Sequence, residues 1–413
     1  MIEAEQVDTQ SLQRRVIRVL VSAQILGGIG LGATVSVGAL LASEVSGSPA
    51  WSGMAATMST LGAALIAVPL ARAAQNRGRS IALTIGSIVA ALGAVLATGA
   101  AAIGSFPLLL IGFALAGAGS ATNLQARFAA TDLAVPLHRA RQLSLVVWST
   151  TLGAVLGPNL IEPGETIGHA IGLPTLTGPF VFTVCAQLAA MAVYFFGLRP
   201  DPLLTAIKHA PLKSNAPPKH GLATLKSNPL SRYAVATVAL SHSTMVAMMS
   251  MTPVHLYGHG ATLIIVGFAL SLHIAGMYAL SPVFGWIADR LGRVRTILIG
   301  QAVFLASLLI AWLGSQSQVL VIVSVTLLGL GWSASTIAGS TLVAESAPVA
   351  DRAGLQGISD LIMNLTAAVC GALAGPVLAV VGYSGLGVVS LILVAIVAVW
   401  SIRGFSLVRA QSS

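Results

Sequence analysis

The stretch GWIADRLGRVR, residues 285–295, holds four charged side chains within eleven residues and separates two long apolar segments. A similar stretch, AAQNRGR at residues 73–79, stands between two other apolar segments, 214 positions before the part IADRLGR at residues 287–293. Gln75 in this first copy occupies the place that Asp289 has in the second. A charged loop that recurs between apolar segments predicts a chain that crosses a membrane repeatedly and contains a duplicated unit.

The composition supports this interpretation. Of the 413 residues, 8% are charged and 56% are apolar, whereas about a quarter of the residues in an ordinary soluble protein are charged. A soluble domain needs far more charge to cover its surface, which excludes a soluble enzyme, a nucleic-acid-binding protein and a disordered protein. The apolar runs are continuous rather than alternating, which argues against a transmembrane β-barrel. We therefore predict an all-α polytopic protein of the cytoplasmic membrane, surrounded by lipid and without a nucleic-acid partner.

Twelve apolar stretches have the length of about 20 residues that a membrane span requires. When the N-terminus is placed in the cytoplasm, the loops on that side contain Lys and Arg and the loops on the other side contain neither. This one-sided charge is typical of membrane topology and explains the net charge of +9, so both termini are expected to be cytoplasmic. The expected spans are 17–42, 51–71, 80–103, 107–131, 142–160, 178–198, 230–256, 262–284, 296–314, 319–344, 355–381 and 384–402.

A stretch rich in proline and lysine, residues 199–229, divides the chain into two sets of six spans. The two sets repeat in a second feature besides the charged loop. Asp132 and Arg139 stand seven positions apart, and Glu345 and Arg352 stand seven positions apart 213 positions later. We therefore expect two pseudo-symmetric six-helix halves, residues 1–198 and 230–413, joined by a cytoplasmic linker at 199–229.

The loop at 285–295, together with the span count, the linker and the repeat, resembles the signature loop and architecture of the major facilitator superfamily. The resemblance covers the whole chain and implies a secondary transporter that works by alternating access. The sequence contains no ATP-binding loop of the G-x4-G-K-[ST] type and no catalytic constellation. We expect a monomeric transporter, neither an enzyme nor a protein with a bound cofactor.

Charged residues at the expected cytoplasmic helix ends are candidate gating residues. An acid and a base there can pair when the cytoplasmic ends close and separate when they open, which stabilises one state of the transport cycle. The alternative interpretation is positive-inside charge combined with helix-end capping. The candidates are Asp289, Arg290, Arg293, Glu345, Arg352, Asp132 and Arg139.

Methionine and histidine are concentrated in the seventh and eighth spans. Met245 and Met249 are four positions apart and share a helix face, and His273 and Met277 do the same on the next helix. Thioether and imidazole groups are neutral ligands that suit copper, so these four residues are the candidate site for copper as a transported substrate. Further candidates for metal contact or for the outer mouth are His242, Met248, Met251, His255 and His259.

Met-x3-Met followed by His-x3-Met also resembles the CcoA-like copper importers of the same superfamily, which implies copper uptake through Met245, Met249, His273 and Met277. A different interpretation makes the methionines an apolar wall in a transporter of small organic molecules, for riboflavin uptake or drug efflux. A third interpretation is a membrane sensor or assembly factor that transports nothing. In the organic-substrate case the candidate lining residues are Trp148, Trp332, Tyr233, Tyr257 and Tyr278.

Acidic residues inside the spans are the usual proton couplers of transporters, and this sequence is poor in them. Asp360 is the acid that lies well inside a predicted span, near its cytoplasmic start, and Arg127 is the corresponding basic residue. Proton coupling through a carboxylate therefore has little support from the sequence. His273 and His242 are the alternative candidates, because imidazole titrates near neutral pH.

Overall fold

A computed structural model describes residues 2–48, 51, 53–209 and 221–412, and the regular secondary structure of these residues is entirely helical. Two short 3-10 turns, Pro136–His138 and Gly157–Leu160, flank the fifth helix. The helices are α1 Ile2–Ser46, α2 Met54–Arg77, α3 Arg79–Ala102, α4 Phe106–Ala129, α5 Arg139–Leu156, α6 Ile161–Ala170, α7 Pro179–Gly197, α8 Pro202–His209, α9 Gly221–Ser227, α10 Pro229–Gly258, α11 Leu263–Tyr278, α12 Ser281–Leu291, α13 Arg293–Leu313, α14 Gln318–Glu345 and α15 Val349–Ser412.

Ten helical segments among the described residues are long and apolar enough to cross a membrane, where the sequence predicted twelve spans. Part of the difference lies in α15, which runs through both of the last two predicted spans. Its backbone leaves the helical conformation at Gly382, with φ 71° and ψ −178°, a region that glycine adopts readily because it has no Cβ. The rest lies in α5, which has arginines at its first and third residues and is not one of the ten segments.

The predicted eighth span, 262–284, is interrupted. Helix α11 ends at Tyr278, and α12 begins at Ser281 with Pro282 in its first turn. Proline has no backbone N–H, and its ring clashes with the carbonyl group of the preceding helical turn. The interruption therefore follows directly from Pro282, and it places His273 and Met277 in the last turns of α11.

The described residues fall into two compact units. Unit 1 contains those within Met1–Ala134, Leu145–Lys219 and Val349–Leu361, and unit 2 contains those within Val135–Ser144, His220–Pro348 and Ile362–Ser413. The start of α5 thus belongs to unit 2 and the start of α15 to unit 1. The division into 1–198, 199–229 and 230–413 stays a prediction. Residues 210–220 of the expected linker lie outside the described residues, and α8 and α9 occupy its described ends.

Small residues allow the helices of unit 1 to approach one another closely. A Cβ atom on Gly62 of α2 would lie 1.8 Å from the carbonyl oxygen of Ala114 on α4. A Cβ atom on Gly117 of α4 would lie 2.1 Å from the carbonyl oxygen of Ser59 on α2. Two helix backbones in a membrane come this close where the side chain is absent, so the pairing of α2 with α4 depends on these glycines.

Helix α14 is the centre of unit 2. Helices α10, α11 and α13 each pack along it, whereas α10 and α11 make few contacts with each other. A Cβ atom on Gly329 of α14 would lie 2.4 Å from the carbonyl oxygen of His273 on α11, and one on Gly276 of α11 would lie 2.7 Å from that of Thr326 on α14. The side chains of α14 therefore connect the candidate residues of α10 with those of α11.

Candidate functional site

The first charged cluster joins the start of α3 to the end of α4 in unit 1. Arg79 Nε lies 2.8 Å from Asp132 Oδ2, and both side chains are 0% exposed. Arg79 Nη2 also donates a hydrogen bond to Asp132 Oδ1 at 3.3 Å and to Gln356 Oε1 on α15 at 2.5 Å. The sequence singled out Asp132 and missed its partner, because Arg79 is one of several arginines in the loop.

Unit 2 contains the repeated counterpart of this pair. Arg293 Nη2 lies 2.9 Å from Glu345 Oε1, and Arg293 Nη1 lies 2.8 Å from Asp289 Oδ1. Arg293 and Glu345 stand 214 and 213 positions after Arg79 and Asp132. The duplicated sequence thus builds a similar arginine–acid pair twice, just beyond the end of α4 and at the end of α14.

Asp289 has a second role that its counterpart Gln75 lacks. Its carboxylate accepts hydrogen bonds from the backbone N–H groups of Ala140 and Arg141 at 3.2 and 2.9 Å, in the first turn of α5. A carboxylate stabilises the free N–H groups and the positive dipole end of a helix. Gln75 instead donates from Nε2 to the carbonyl oxygen of Ala350 at 2.9 Å, near the start of α15. Gln75 therefore contacts the start of α15 through a neutral hydrogen bond, without the negative charge that Asp289 brings to the start of α5.

The remaining gating candidates have more varied surroundings. Arg139 Nη1 lies 3.9 Å from Glu345 Oε1, which is at the outer limit of an ion pair. The guanidinium carbon of Arg290 lies 4.9 Å from the ring centroid of Trp286, a cation–π contact. Arg352 is buried at the start of α15. The closest acid–base contacts among the candidates therefore centre on Arg293.

The methionines of the candidate copper site belong to the apolar core of unit 2. Met245, Met248 and Met277 are buried there, and Met249 and Met251 pack against it half-buried. Among the described residues, no group of three or more His, Cys, Asp or Glu side chains is placed to hold a metal ion. A copper site in unit 2 would therefore depend on thioether sulfur, and four of these five methionines lie on α10.

His273 differs from the methionines because one of its ring nitrogens is unsatisfied. The side chain is 1% exposed, and Nδ1 lies 2.7 Å from the carbonyl oxygen of Val325 on α14. A carbonyl oxygen only accepts, so Nδ1 carries the proton, and in the neutral ring Nε2 keeps its lone pair. Nε2 is buried and has no hydrogen-bond partner in the described structure. A backbone carbonyl bound to one ring nitrogen is a common way to orient the other toward a ligand.

A polar aromatic group lies near the midpoints of α10 and α14. Trp332 Nε1 donates a hydrogen bond to His242 Nδ1 at 2.8 Å. The indole also meets the ring of Tyr278 on α11 edge to face, with ring centroids 5.6 Å apart. Trp332 is buried, and His242 and Tyr278 are half-buried. We call His242, Trp332 and Tyr278 the aromatic triplet; it joins residues from three helices of unit 2.

The other proposed lining residues lie elsewhere. Tyr233 is fully buried and shares a 2.8 Å hydrogen bond with Ser401, which is a packing role. Tyr257 is 65% exposed near the end of α10, and Trp148 is half-buried on α5 in unit 1.

His255 and His259 form a small cluster near the end of α10. The ring of His255 stacks on Tyr383 with centroids 4.2 Å apart, and its Nε2 donates to the carbonyl oxygen of Ser315 at 2.7 Å. His259 Nδ1 donates to the carbonyl oxygen of His255 at 2.9 Å. Each imidazole thus has one nitrogen committed to the backbone, which leaves the other nitrogen as the group that can meet a ligand.

An ion pair between two residues of predicted spans also appears. Arg127 Nη2 of α4 lies 2.7 Å from Asp360 Oδ1 of α15, and the two side chains are 2% and 1% exposed. The sequence named both residues but did not pair them. The signal was their opposite charge within the membrane, where charged side chains are costly unless they are partnered.

Comparison with known proteins agrees with this architecture. A family model described as Major Facilitator Superfamily matches residues 20–266 and 233–410. The uncharacterized MFS-type transporter YdeG of Bacillus subtilis is 40% identical over 400 residues, which cover 95% of this chain and 93% of the relative. The riboflavin transporter RfnT of Brucella anthropi is 28% identical over 394 residues, which cover 93% of this chain and 95% of the relative.

A solved structure of a bacterial homologue of the iron transporter ferroportin, in an outward-facing state, shares the fold. It has a TM-score of 0.73 at 16% identity and covers 95% of this chain and 99% of its own. These matches do not reach the copper-importer subfamily that the sequence resembled. The family and the fold are those of transporters rather than enzymes, and the helices are those of a multi-pass protein of the plasma membrane. The chain belongs to the major facilitator superfamily.

Proposed function

We propose that this secondary transporter carries a small organic molecule with a planar ring system, held by the aromatic triplet. The observation that carries the proposal is the position of Trp332, which links His242 to Tyr278 near the middle of unit 2. Aromatic faces and edges bind planar rings through offset and edge-to-face contacts, and half-buried His242 and Tyr278 add hydrogen-bonding groups. The resemblance to a riboflavin transporter over nearly the whole chain supports the same substrate class.

In this proposal the paired charges act as a cytoplasmic gate, with both termini in the cytoplasm and the monomer as the working form. The starts of α5 and α15 each belong to the unit built mainly from the other half of the sequence. Rocking of the two halves would pull these helix starts away from Asp289 and Gln75. The hydrogen bonds made by those side chains would then break, so they stabilise one state of the cycle against the other.

Riboflavin uptake by cells that can neither make nor import the vitamin tests the substrate class. Trp332→Leu should abolish uptake, and Trp332→Phe should weaken it, because the phenyl ring keeps the contact with Tyr278 but cannot donate to His242. Trp312→Leu on α13 is the matched control, since Trp312 is 48% exposed and lies outside the triplet. No uptake by well-inserted wild type, for riboflavin and other planar heterocycles alike, would reject the proposal.

Copper import is a second candidate, and the unsatisfied Nε2 of His273 favours it. A buried polar atom without a partner costs about 1–3 kcal/mol, and a bound metal would offset that cost. Met277 lies one helical turn further along α11, and Met245 belongs to the same apolar core. Neutral ligands hold a copper ion without leaving an uncompensated charge after release.

Copper accumulation in the same cells distinguishes the two candidates. For a copper importer, His273→Leu and Met277→Leu should each abolish accumulation, whereas Trp332→Phe should leave it unchanged. Met191→Leu on α7 in unit 1 is the matched control for a methionine outside the candidate site. Equal copper content in cells with the wild type, the His273 variant and an empty vector would exclude copper as the cargo.

A further inference from the structure

Two side-chain amides of unit 1 lie together where α1 packs against α4. Gln24 Nε2 on α1 donates a hydrogen bond to Thr150 Oγ1 on α5 at 3.0 Å and to the backbone carbonyl oxygen of Asn123 on α4 at 3.4 Å. The side chain of Asn123 lies over Gly27, because a Cβ atom on Gly27 would lie 2.7 Å from Asn123 Oδ1. Gly27 shares a face of α1 with Gln24, three positions earlier. We call Gln24 and Asn123 the amide pair.

Each member of the amide pair has a buried polar atom without a hydrogen-bond partner among the described residues. These atoms are Gln24 Oε1, which is an acceptor, and Asn123 Nδ2, which is a donor. Gln24 is 3% exposed, and Asn123 is half-buried. A buried donor or acceptor without a partner is costly to the folded protein. The amide pair therefore offers one acceptor and one donor, close together, to a bound molecule.

The backbone that carries the amide pair is held in place by a close helix contact at the same level. A Cβ atom on Gly153 of α5 would lie 2.6 Å from the Cα atom of Gly28 on α1, an approach that small residues allow in membranes. At about 1.5 Å per residue, Gln24 lies about 10 Å from the start of the predicted span 17–42, and Asn123 lies about 12 Å from the end of 107–131. Both amides are thus at a similar depth, well inside the membrane.

The chemistry of the amide pair matches another amide. A carbonyl oxygen of the bound molecule would accept from Asn123 Nδ2, and an N–H group beside it would donate to Gln24 Oε1. Cyclic amides and imides present these two groups on one edge of a planar ring. Both hydrogen bonds of Gln24 go to neutral groups, and side-chain amides are not the sulfur and nitrogen ligands that copper prefers. The pair therefore suits a neutral heterocycle rather than a metal ion.

We propose that Gln24 and Asn123 form a binding subsite in unit 1 for the cyclic amide edge of the transported molecule. Gln24 recognises the N–H group and Asn123 recognises the carbonyl group. The inference rests on the proposed function, because it takes the cargo to be a planar heterocycle and names the group on its ring that unit 1 binds. Both side chains turn about their own χ angles to meet the cargo, while the backbone stays fixed. The subsite gives a selectivity that ring contacts do not, because all planar rings have aromatic faces.

Competition for riboflavin uptake tests the subsite. Unlabelled riboflavin, whose ring carries one imide N–H group, is compared with N3-methylriboflavin, in which a methyl group replaces that hydrogen. With the wild type we expect the methylated compound to compete about tenfold more weakly, because Gln24 Oε1 loses its donor. Gln24→Ala removes the acceptor and makes room for the methyl group, so the two compounds should compete equally and the KM for riboflavin should rise. Gln24→Met, which keeps the size of the side chain, should also lose the preference.

Three further variants separate recognition from folding. Thr150→Val removes the hydrogen bond that holds Gln24 Nε2 and leaves Gln24 Oε1 unchanged, so it should keep the preference for riboflavin even if the protein becomes less stable. Asn123→Ala removes the donor to the carbonyl group and should weaken the binding of both compounds equally. Trp332→Phe in the aromatic triplet should do the same. Equal competition by the two compounds in the wild type, or a preference that survives in Gln24→Ala and Gln24→Met, would overturn the subsite and leave riboflavin as the cargo.

A binding measurement tests the subsite without transport. Thermal unfolding of the purified full-length protein is followed with lumiflavin, which has the same ring and the same N–H group, and with 3-methyllumiflavin. Lumiflavin should raise the midpoint of unfolding more than its methylated form in the wild type, and the two should act equally in Gln24→Ala. Selective stabilisation by lumiflavin without riboflavin uptake would reject riboflavin as the cargo and support the subsite. Neither uptake nor stabilisation would overturn both proposals.

Discussion

The carboxylate of Asp289 lies 2.9 Å from the backbone nitrogen of Arg141, the third residue of α5. The same carboxylate binds Arg293 at 2.8 Å. One side chain therefore joins the charged loop, the start of α5 and the arginine that pairs with Glu345. Gln75 cannot do this, because an amide carries no charge for an arginine or a helix dipole. The loop at 285–295 is therefore joined to the neighbouring helix start by charged hydrogen bonds, whereas the loop at 73–79 is joined through the neutral side chain of Gln75.

Asp289→Asn should weaken this connection while keeping the shape of the side chain. Loss of the charged hydrogen bonds and of the favourable helix-dipole interaction should lower the free energy of unfolding by about 1–3 kcal/mol. Thermal unfolding of the purified protein measures the loss of stability. The rate of cargo uptake measures the effect of the change on transport. The matched change in the first copy, Gln75→Asn, should have the smaller effect on both. A larger loss of stability and uptake in Gln75→Asn than in Asp289→Asn would contradict the stronger role assigned to Asp289.

The sequence predicts the membrane helices and the acids at their ends, but it does not predict which arginine each acid binds, and the reason is physical. Hydropathy and the one-sided distribution of Lys and Arg predict an all-helical membrane protein. The positions of Asp132 and Glu345 mark acids at helix ends. Spacing along the chain does not identify their partners, because Arg72, Arg77 and Arg79 all belong to one loop. The close approach of α3 and α4 selects Arg79.

For the candidate binding residues too, spacing along the chain predicts which side chains share a helix face but not which helices pack together. The four-residue spacing of Met245 and Met249 predicts a shared helix face, and so does that of His273 and Met277. It does not predict that α10 and α11 pack against α14 rather than along each other. That arrangement follows from glycines such as Gly276 and Gly329, whose partners lie on a distant part of the chain. The link from His242 through Trp332 to Tyr278 could be found only from the fold.

The two arginine–acid pairs should differ in their contribution to stability, although the sequence repeat makes them equivalent. Asp132→Asn leaves Arg79 charged and 0% exposed, so the free energy of unfolding should fall by about 3 kcal/mol or more. Glu345 is 22% exposed and Arg293 keeps Asp289 as a partner, so Glu345→Gln should cost about 1 kcal/mol or less. Thermal unfolding of both variants in the same detergent, with helical content checked by circular dichroism, gives the comparison. Equal losses would contradict the burial argument.

Gly329→Ala tests whether the close packing of α14 against α11 is needed for transport. In an exposed helix, alanine is about 1 kcal/mol more favourable than glycine. Gly267→Ala on α11, where an added Cβ meets open space, should therefore be neutral or slightly stabilising. At Gly329 the new Cβ would lie 2.4 Å from the carbonyl oxygen of His273, and the helices must move apart, at a cost of about 1–3 kcal/mol.

That movement would disturb His273 and its hydrogen bond to Val325, and cargo uptake should fall with stability in Gly329→Ala alone. Uptake at the wild-type rate from a destabilised Gly329→Ala protein would show that the spacing of α11 and α14 serves folding and not transport.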